Sequence, residues 1–519
     1  PLLQFKIEMK VVEEEQLITV MDGPWTPTDL IREIVESGTQ EDPFYVMDLG
    51  EVVARYQRWK ELMPRVEPFY DVLVTCVRCG NNRITIPFCA ERKASSQVSP
   101  EKVRTVSSAN VTILPLSRLR LQSCTLPWGT PNVTAGLTID RSIDKPIHTS
   151  TIGRFHRFFP AVKCNDDKLL VSTLAALGAG FDCASKAEIE LVTSIGVAPE
   201  RIIFANPAKM ASHIRYASAA GVDVMTFDSE TELMKIKQLM PHAQLVIRIR
   251  CDAASAQCPL GIKFGCDPVT EAPRLLKLAA VLGLEVCTGV SFHVGSGAAE
   301  TEVYARAVAL ARALFAVGLN VGHRGMRLLD VGGGFPGGTH TSILEVSAVI
   351  NAAIEEHFPE RSVRVIAEPG RYFAAAAYTL AAMVHAKRED KEADTGSETH
   401  TMYFINDGVY GSFNCVLYDH QQVVAEPLND SGASRAACSV WGPTCDGLDC
   451  VLPGARLPAL AAGDWLVFRD MGAYTLPVAS PFNGFPVPTV RPVVDARLAL
   501  VLRLCLSSYR ALAGSIFHY

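Results

Sequence analysis

Between residues 161 and 376 the chain alternates short apolar runs with helix-like stretches, and several of the runs end in polar or glycine-rich residues. The runs at 201–204, 224–227, 245–248, 290–293, 328–331 and 363–366 have the length and apolar content of strands buried on both faces. Helical patterns occupy 185–195, 230–239 and 301–317 between them. Repeated strand–helix units of this kind build a parallel α/β fold. Functional groups at strand C-termini are what a (β/α)8 barrel displays. A doubly wound sheet puts ligands at the same ends, so spacing alone leaves both architectures open.

The texture changes after about residue 376. Turn residues and short strand-like pieces, such as 402–405 and 465–468, predict a mainly β second domain over 377–519, and the charged stretch 387–400 reads as a solvated loop. Residues 71–160 fit neither part. They are rich in Ser, Thr, Arg and Pro without a helical or strand period, and so long a structureless stretch does not belong to a compact core.

Composition narrows the function. With 48% hydrophobic residues in a chain of 519, more than one core can be buried. The 49 basic and 55 acidic residues give a formal charge of −6, which argues against a nucleic-acid binder. No apolar run spans a bilayer, because the Leu-rich end is broken by Arg497, Arg503 and Arg510. No secretory signal is read at the start, which opens on Pro1 rather than Met, so the true start is expected upstream. The 15 cysteines are odd in number and irregularly spaced, which reads as reduced thiols of a cytoplasmic protein. Cys76 and Cys79 have zinc-ribbon spacing without a second pair, and no metal site is read.

Four motifs carry chemistry. Gly332-Gly333-Gly334 follows a strand, and glycines let backbone N–H groups approach an anion closely. A tight loop is the ordinary explanation for such a triplet taken alone. Glu368-Pro-Gly370-Arg371 sets an anion and a cation three residues apart, an arrangement that structural ion pairs also produce. His293 closes one apolar run and Lys163 another, where a satisfied core histidine and a lysine snorkelling to solvent are the usual cases. Taken together, a lysine, a glycine phosphate loop, a histidine and a carboxylate at strand ends of one barrel match the needs of pyridoxal 5′-phosphate (PLP). The lysine bonds the cofactor covalently, the glycines and arginine hold its phosphate, and the carboxylate keeps the pyridine nitrogen protonated.

Eight segments in order make the chain resemble the eukaryotic ornithine decarboxylases, which share the PLP fold type of alanine racemase. They are Ala161-Val-Lys-Cys-Asn165, Gly180-Phe-Asp-Cys-Ala-Ser-Lys186, Phe292-His-Val-Gly-Ser-Gly297, Asp330-Val-Gly-Gly-Gly-Phe-Pro-Gly337, Ala367-Glu-Pro-Gly-Arg-Tyr372, Val409-Tyr-Gly-Ser-Phe-Asn414, Trp441-Gly-Pro-Thr-Cys-Asp-Gly-Leu-Asp449 and Met471-Gly-Ala-Tyr474. The resemblance covers residues 10–70 and 161–486 and implies a TIM-type barrel over 42–376, followed by a β domain against which 1–41 pack. It implies that Lys163 is the PLP lysine, that Asp182 and Arg248 lie near it and the ring, and that His293 stacks on the ring. Ser296, Gly332, Gly333, Gly334, Gly370, Arg371 and Tyr474 belong to the cofactor site, and Glu368 faces the pyridinium. Tyr418, Asp419 and Asp446 receive the substrate, with Cys445 reprotonating its α-carbon. The implied reaction converts L-ornithine to putrescine and carbon dioxide, the first step of polyamine biosynthesis. The implied assembly is a homodimer whose active sites are shared, the Cys445-Asp446 pair crossing from the other subunit. Two carboxylates, Asp419 and Asp446, suit the distal ammonium of the substrate.

The chain departs from the family pattern in two places. The family motif runs without a break, whereas here Pro68-Phe69-Tyr70 is parted from Ala161 by residues 71–160. That insertion is expected to be disordered or a retained intron, with Phe158-Phe159 standing in for Phe69-Tyr70 as the start of the lysine strand. After Phe485 the resemblance fades, and the Pro/Glu/Ser/Thr-rich tail of vertebrate members is not seen. Residues 206–229 occupy the position of the family's antizyme-binding element and keep Lys209 and Arg215. The rival readings are a catalytically inactive antizyme-inhibitor-like protein, and a lysine, arginine or diaminopimelate decarboxylase of the same fold. The presence of Lys163, Asp182, His293, Glu368, Arg371, Cys445 and Asp446 weighs against the first, and the Cys445-Asp446 pair against the second.

Overall fold

The structure, a computed structural model, describes residues 5–8, 17–72, 164–251, 261–284, 287–296, 300–390 and 400–499. Strands β1 (Phe5–Glu8) and β2 (Leu17–Met21) pair antiparallel, and helix α1 (Pro27–Glu36) and strand β3 (Phe44–Asp48) follow. Helix α2 (Leu49–Leu62), capped by the Asp48 carboxylate, leads into the barrel.

Eight strands make that barrel: β4 (Val66–Val72), β5 (Gly180–Cys183), β6 (Ile202–Phe204), β7 (Val224–Phe227), β8 (Gln244–Arg250), β9 (Cys287–His293), β10 (Leu328–Asp330) and β11 (Arg364–Ala367). All neighbours are parallel, and β11 pairs back onto β4 through Val365–Val66 and Ala367–Pro68. This closure decides between the two architectures that spacing left open. Helices α3 (Lys168–Leu177), α4 (Lys186–Ser194), α5 (Ala211–Ala219), α6 (Glu230–Leu239), α7 (Glu271–Val281), α8 (Glu302–Asn320), α9 (Leu344–His357) and α10 (Gly370–Ala374) belong to this part of the chain.

The strands read as unbroken apolar runs because both of their faces are buried. Phe69, Ile203, Val246, Leu328 and Ile366 pack into one cluster, while their neighbours Tyr70, Ile202, Phe204 and Leu329 pack into the main core. Local chemistry fixes the helix ends. The Asp167 carboxylate accepts the Leu169 and Leu170 N–H groups at the start of α3. The Ser185 hydroxyl caps α4, and Glu188 three residues on reaches back to the Ala184 N–H, a variant of the capping box.

The remaining strands are β12 (Tyr378–Asp390), β13 (His400–Ile405), β14 (Glu426–Pro427), β15 (Ala436–Trp441), β16 (Cys450–Leu457), β17 (Trp465–Phe468) and β18 (Thr489–Asp495), with helix α11 (Asn414–Tyr418) after β13. With β1, β2 and β3 they form a ten-stranded sheet ordered β1-β2-β18-β3-β12-β13-β15-β16, where β17 pairs with β12 and β14. The sheet thus draws strands from both ends of the chain.

Three details differ from the sequence reading. Strand β3 lies inside the expected barrel segment 42–376 yet pairs with β12 and β18. Its Phe44 and Val46 share a small core with Ile31 and Trp465, and that apolar face holds it in the sheet. Residues 387–390, expected in a solvated loop, continue β12, with Lys387 opposite Tyr403 and Asp390 opposite His400. A ribbon with a wet face can carry such charges; residues 391–399 lie outside the described ones. Finally, Phe69-Tyr70 themselves lie in β4, and Asp71 and Val72 continue it opposite Asp182 and Cys183, while Phe158-Phe159 lie outside the described residues. The rest of the insertion, from residue 73, lies outside the described residues, as does Lys163.

Candidate active site

The candidate groups gather where the barrel strands end. Asp182 lies on β5, Arg248 on β8, His293 at the last position of β9, Asp330 at the end of β10 and Glu368 just after β11. Asp330 is fully buried, and its Oδ1 accepts the Gly332 N–H at 2.9 Å. Burial pushes its carboxyl up to about 7, against the pull of the Gly332 N–H and of Glu368, with Asp182 adding like charge and Arg248 opposite charge. Four ionisable side chains from four strands therefore share one field.

The glycine loop is pinned from both sides. The Glu368 N–H donates to the Gly332 carbonyl at 2.7 Å, and the Tyr304 hydroxyl donates to the Gly333 carbonyl at 2.8 Å. Gly332 has φ +64°, and a Cβ on it would lie 2.1 Å from the Phe292 carbonyl oxygen, so neither conformation nor space admits a side chain. A Cβ on Gly333 would meet His293 Nε2 at 2.7 Å, which places the imidazole against the loop. His293 Nδ1 accepts the Gly295 N–H at 3.0 Å, so a neutral ring carries its proton on Nε2.

Arg371, at the start of α10, forms the second centre. Its Nη2 donates to both Asp419 oxygens, at 2.8 and 2.7 Å, and to Ser296 Oγ at 3.2 Å. Its guanidinium lies 4.8 Å from the Tyr474 ring centroid. Burial pushes the Asp419 carboxyl up, and Arg371 opposes that shift. Three hydrogen bonds hold the residues that follow Lys163. The Cys164 carbonyl accepts the Tyr474 N–H at 2.9 Å, Asn165 Nδ2 donates to the Gly472 carbonyl at 2.8 Å, and the Tyr70 hydroxyl donates to the Asn165 carbonyl at 3.1 Å. The residues following Lys163 are thus fastened to the Met471–Tyr474 segment.

Cys445 and Asp446 sit on a loop of the sheet domain. Buried Asp449 shapes it, accepting from the Val409 N–H at 2.8 Å, the Thr444 N–H at 2.9 Å and the Thr444 hydroxyl at 2.6 Å. Asp446 accepts from the Tyr410 hydroxyl and the Leu448 N–H, and these bonds hold its carboxyl below the usual range. Cys445 is exposed. Among the described residues, the hydrogen bonds of Asp446 run to Tyr410, Thr444, Leu448 and Asp449, none of which belongs to the barrel.

The family model of the pyridoxal-dependent decarboxylase pyridoxal-binding domain matches residues 146–375. Ornithine decarboxylase of Rattus norvegicus is 40% identical over 500 residues, which is 93% of this chain and 88% of the relative. The chain belongs to the ornithine decarboxylase family. Antizyme inhibitor 2 of Xenopus laevis is 49% identical over a shorter 340 residues, 63% of this chain and 73% of that protein. Among solved structures, the Paramecium bursaria Chlorella virus arginine decarboxylase bound to agmatine superposes with a TM-score of 0.68 at 31% identity, over 90% of this chain and 100% of that one.

For a member of the ornithine decarboxylase family, the structure brings together most of the residues read from the sequence. Asp182, Arg248, His293, Gly332–Gly334 and Glu368 meet at one group of strand ends; Ser296, Arg371, Asp419 and Tyr474 meet beside Gly370. Asp419 bonds Arg371 whereas Asp446 bonds Tyr410, and Tyr418 points outward at 54% exposure. Three contributors carry no role in the sequence reading: Asp330, which shares its field with Glu368; Tyr304, which holds Gly333; and Asp449, which shapes the Cys445 loop. Asp330 and Asp449 had been visible inside quoted motifs; nothing in the helical pattern of 301–317 distinguishes Tyr304.

Proposed function

We propose that the chain decarboxylates L-ornithine to putrescine and carbon dioxide with PLP as cofactor, at the first step of polyamine biosynthesis. The observation that carries the reading is the group of four ionisable side chains at the barrel's strand ends, beside a loop that admits only glycine. The residues fit the cofactor. Arg371 Nη2 and Ser296 Oγ, 3.2 Å apart, and the side-chain-free glycine loop form a donor set for a phosphate dianion. When bound, PLP supplies the electron sink that takes up the pair left on the α-carbon as carbon dioxide departs.

The chain's own residues set that sink and aim the substrate. Glu368, held by its N–H to Gly332, would hold the proton on the pyridine nitrogen of bound PLP. His293, braced by Gly295 and Gly333, would cover one face of its ring. Lys163 would supply the amine that binds the cofactor covalently. Asp419 and Asp446 grip the distal ammonium, which uses remote binding energy to fix the orientation of the carboxylate to be lost. The Cys445 thiol delivers a proton to the α-carbon, replacing the departing carboxylate.

The same proposal includes a homodimer with shared sites. Cys445 is exposed on a loop braced by Asp449, Leu448 on that loop is 68% exposed, and Phe482, stacked on the Tyr410 that bonds Asp446, is 42% exposed. Such a surface suits a second subunit delivering Cys445 and Asp446 to this chain's barrel. A cytoplasmic location also belongs to the proposal. Among the described residues every cysteine is free, in keeping with a reducing compartment. No helix among them is long and apolar enough to cross a membrane.

Antizyme binding around residues 206–229 is the remaining partner reading. Arg215 is exposed on α5, whereas Lys209 is buried against Glu232 and serves the fold. The test of the activity is release of labelled carbon dioxide from ornithine, lysine and arginine, with and without PLP, in chains with and without residues 71–160. Release from ornithine above the other two, dependent on PLP, supports the reading. PLP binding without release from any substrate would favour a binding protein of the antizyme-inhibitor kind.

A further inference from the structure

We infer that Asp470 is a positioning residue that ties the glycine loop of the cofactor site to the turn carrying Asp419; the inference rests on the ornithine decarboxylase reading above. Asp470 stands between β17 and the Met471–Tyr474 segment. Its backbone is left-handed, at φ +60°, a conformation aspartate and asparagine tolerate better than most residues with a side chain. That conformation accompanies a carboxylate turned onto the stretch following the glycines. Oδ1 accepts the Thr339 N–H at 2.9 Å and Oδ2 accepts the Thr339 hydroxyl at 3.2 Å. Between the glycine triplet and Thr339 lies Gly337, where a Cβ would stand 2.1 Å from the Arg371 carbonyl oxygen. Holding Thr339 therefore holds this stretch against the backbone of Arg371.

The other end of the tie is the main chain of the same residue. The Asp470 carbonyl accepts from Gln421 Nε2 at 3.0 Å. Gln421 closes the turn Asp419-His420-Gln421, in which His420 is left-handed too, at φ +54°. The N–H groups of Asp419 and Gln421 both donate to the Cys415 carbonyl at 3.1 Å, so the turn is a stiff extension of α11. The residues after Asp470 anchor the tie: Met471 N–H to the Tyr378 carbonyl, Gly472 N–H to the Ala375 carbonyl, each at 3.0 Å, and Tyr474 N–H to the Cys164 carbonyl at 2.9 Å. One residue thus takes bonds from the cofactor loop and the substrate turn, and its own chain runs on to the neighbours of Lys163.

The test uses the full-length enzyme and reads PLP affinity by absorbance titration, ornithine KM and kcat, and melting temperature. Asp470→Ala removes both Thr339 bonds. Losing a carboxylate that accepts two hydrogen bonds is expected to weaken PLP binding and raise KM by about tenfold or more each. Asp470→Asn keeps the left-handed preference and an acceptor for the Thr339 N–H, and should bring both constants back to within about threefold. Gln421→Ala cuts only the tie to the turn, and should raise KM several-fold with PLP affinity within about twofold of wild type. The inference is overturned if Asp470→Ala lowers the melting temperature alone, or if Asp470→Asn is no better than alanine. Should Asp470→Ala fail to fold, Gln421→Ala decides: an unchanged KM, or a loss of PLP affinity matching the rise in KM, overturns it. A wild type that neither binds PLP nor acts on ornithine overturns the parent reading and this one with it, and is seen before any variant is made.

Discussion

Replacing Gly332 by alanine tests the cofactor loop most directly. At φ +64° a side chain costs on the order of 1–2 kcal/mol. The added Cβ would also lie 2.1 Å from the Phe292 carbonyl oxygen and 3.0 Å from His293 Cα, both backbone atoms at the end of β9. Relief requires a backbone shift, and forcing an extra carbon into a packed site costs roughly 1–3 kcal/mol. The sum is about 2–5 kcal/mol. The loop can relax by retreating, which breaks the Glu368–Gly332 bond and spreads the donors that hold the phosphate, and PLP then has to restore the strained geometry. If the strain falls on binding, PLP affinity drops by about thirtyfold at the low end of that range. If the loop cannot retreat, the same energy appears as a lower melting temperature. Equilibrium dialysis of PLP and thermal melts of the same preparation therefore account for it together. Gly325 is the control, with nothing within 4 Å of an added Cβ and no positive φ. A Gly332→Ala enzyme with wild-type affinity and melting temperature would refute the assignment of the loop.

Glu368→Gln should keep PLP bound and slow turnover on the order of 100-fold, because an amide does not hold the pyridine nitrogen protonated; an unchanged kcat removes Glu368 from that role. Mixing inactive Lys163→Ala with inactive Cys445→Ala should restore up to roughly a quarter of wild-type activity if subunits re-pair statistically. Silence despite exchange shown by tag pull-down refutes the shared site. Lys209→Met should cost roughly 3 kcal/mol, the low end for a broken buried ion pair, because Lys235 remains 2.5 Å from Glu232; a melting temperature equal to wild type would refute its structural role. Asp330, raised by burial to about 7 in the fold, keeps a proton that the unfolded chain gives up above about 4. Its stabilising effect is thus full at low pH and lost as pH rises through about 7, so wild type should gain stability over Asp330→Asn on acidification across that window. Melting curves whose difference does not change with pH would refute it.

The barrel was legible because its strands are short, apolar on both faces and separated by helices of regular period. Closure was not, since the seam between β11 and β4 joins residues far apart in the chain and leaves no mark in the spacing. The extension of β12 through Lys387 and Asp390 was hidden for the opposite reason: its residues carry the charges of a loop, and only the register with β13 makes them a strand. Lys209 is kept with Arg215 in the position of the antizyme-binding element, yet Glu232, 23 residues further on, comes back to bury it, with the Thr226 and Asn206 carbonyls taking its remaining hydrogens.

The site was legible wherever a group sits beside its own motif, and illegible wherever it works through a distant one. Asp470 meets Thr339 across 131 residues, and Arg371 meets Asp419 across 48, separations at which no local pattern survives. The second pair carries a functional consequence. One nitrogen, Arg371 Nη2, donates both to Ser296, which the proposed function sets at the phosphate, and to Asp419, which it sets at the substrate ammonium. A phosphate drawing on that cation changes what Asp419 feels, and an ammonium drawing on Asp419 changes what the phosphate feels. The two recognition events therefore share one charge, and their relative placement has to be fixed by bonds that avoid that charge. Backbone N–H groups, the Thr339 hydroxyl and the Gln421 amide are neutral donors of that kind, and Asp470 is the residue on which they converge.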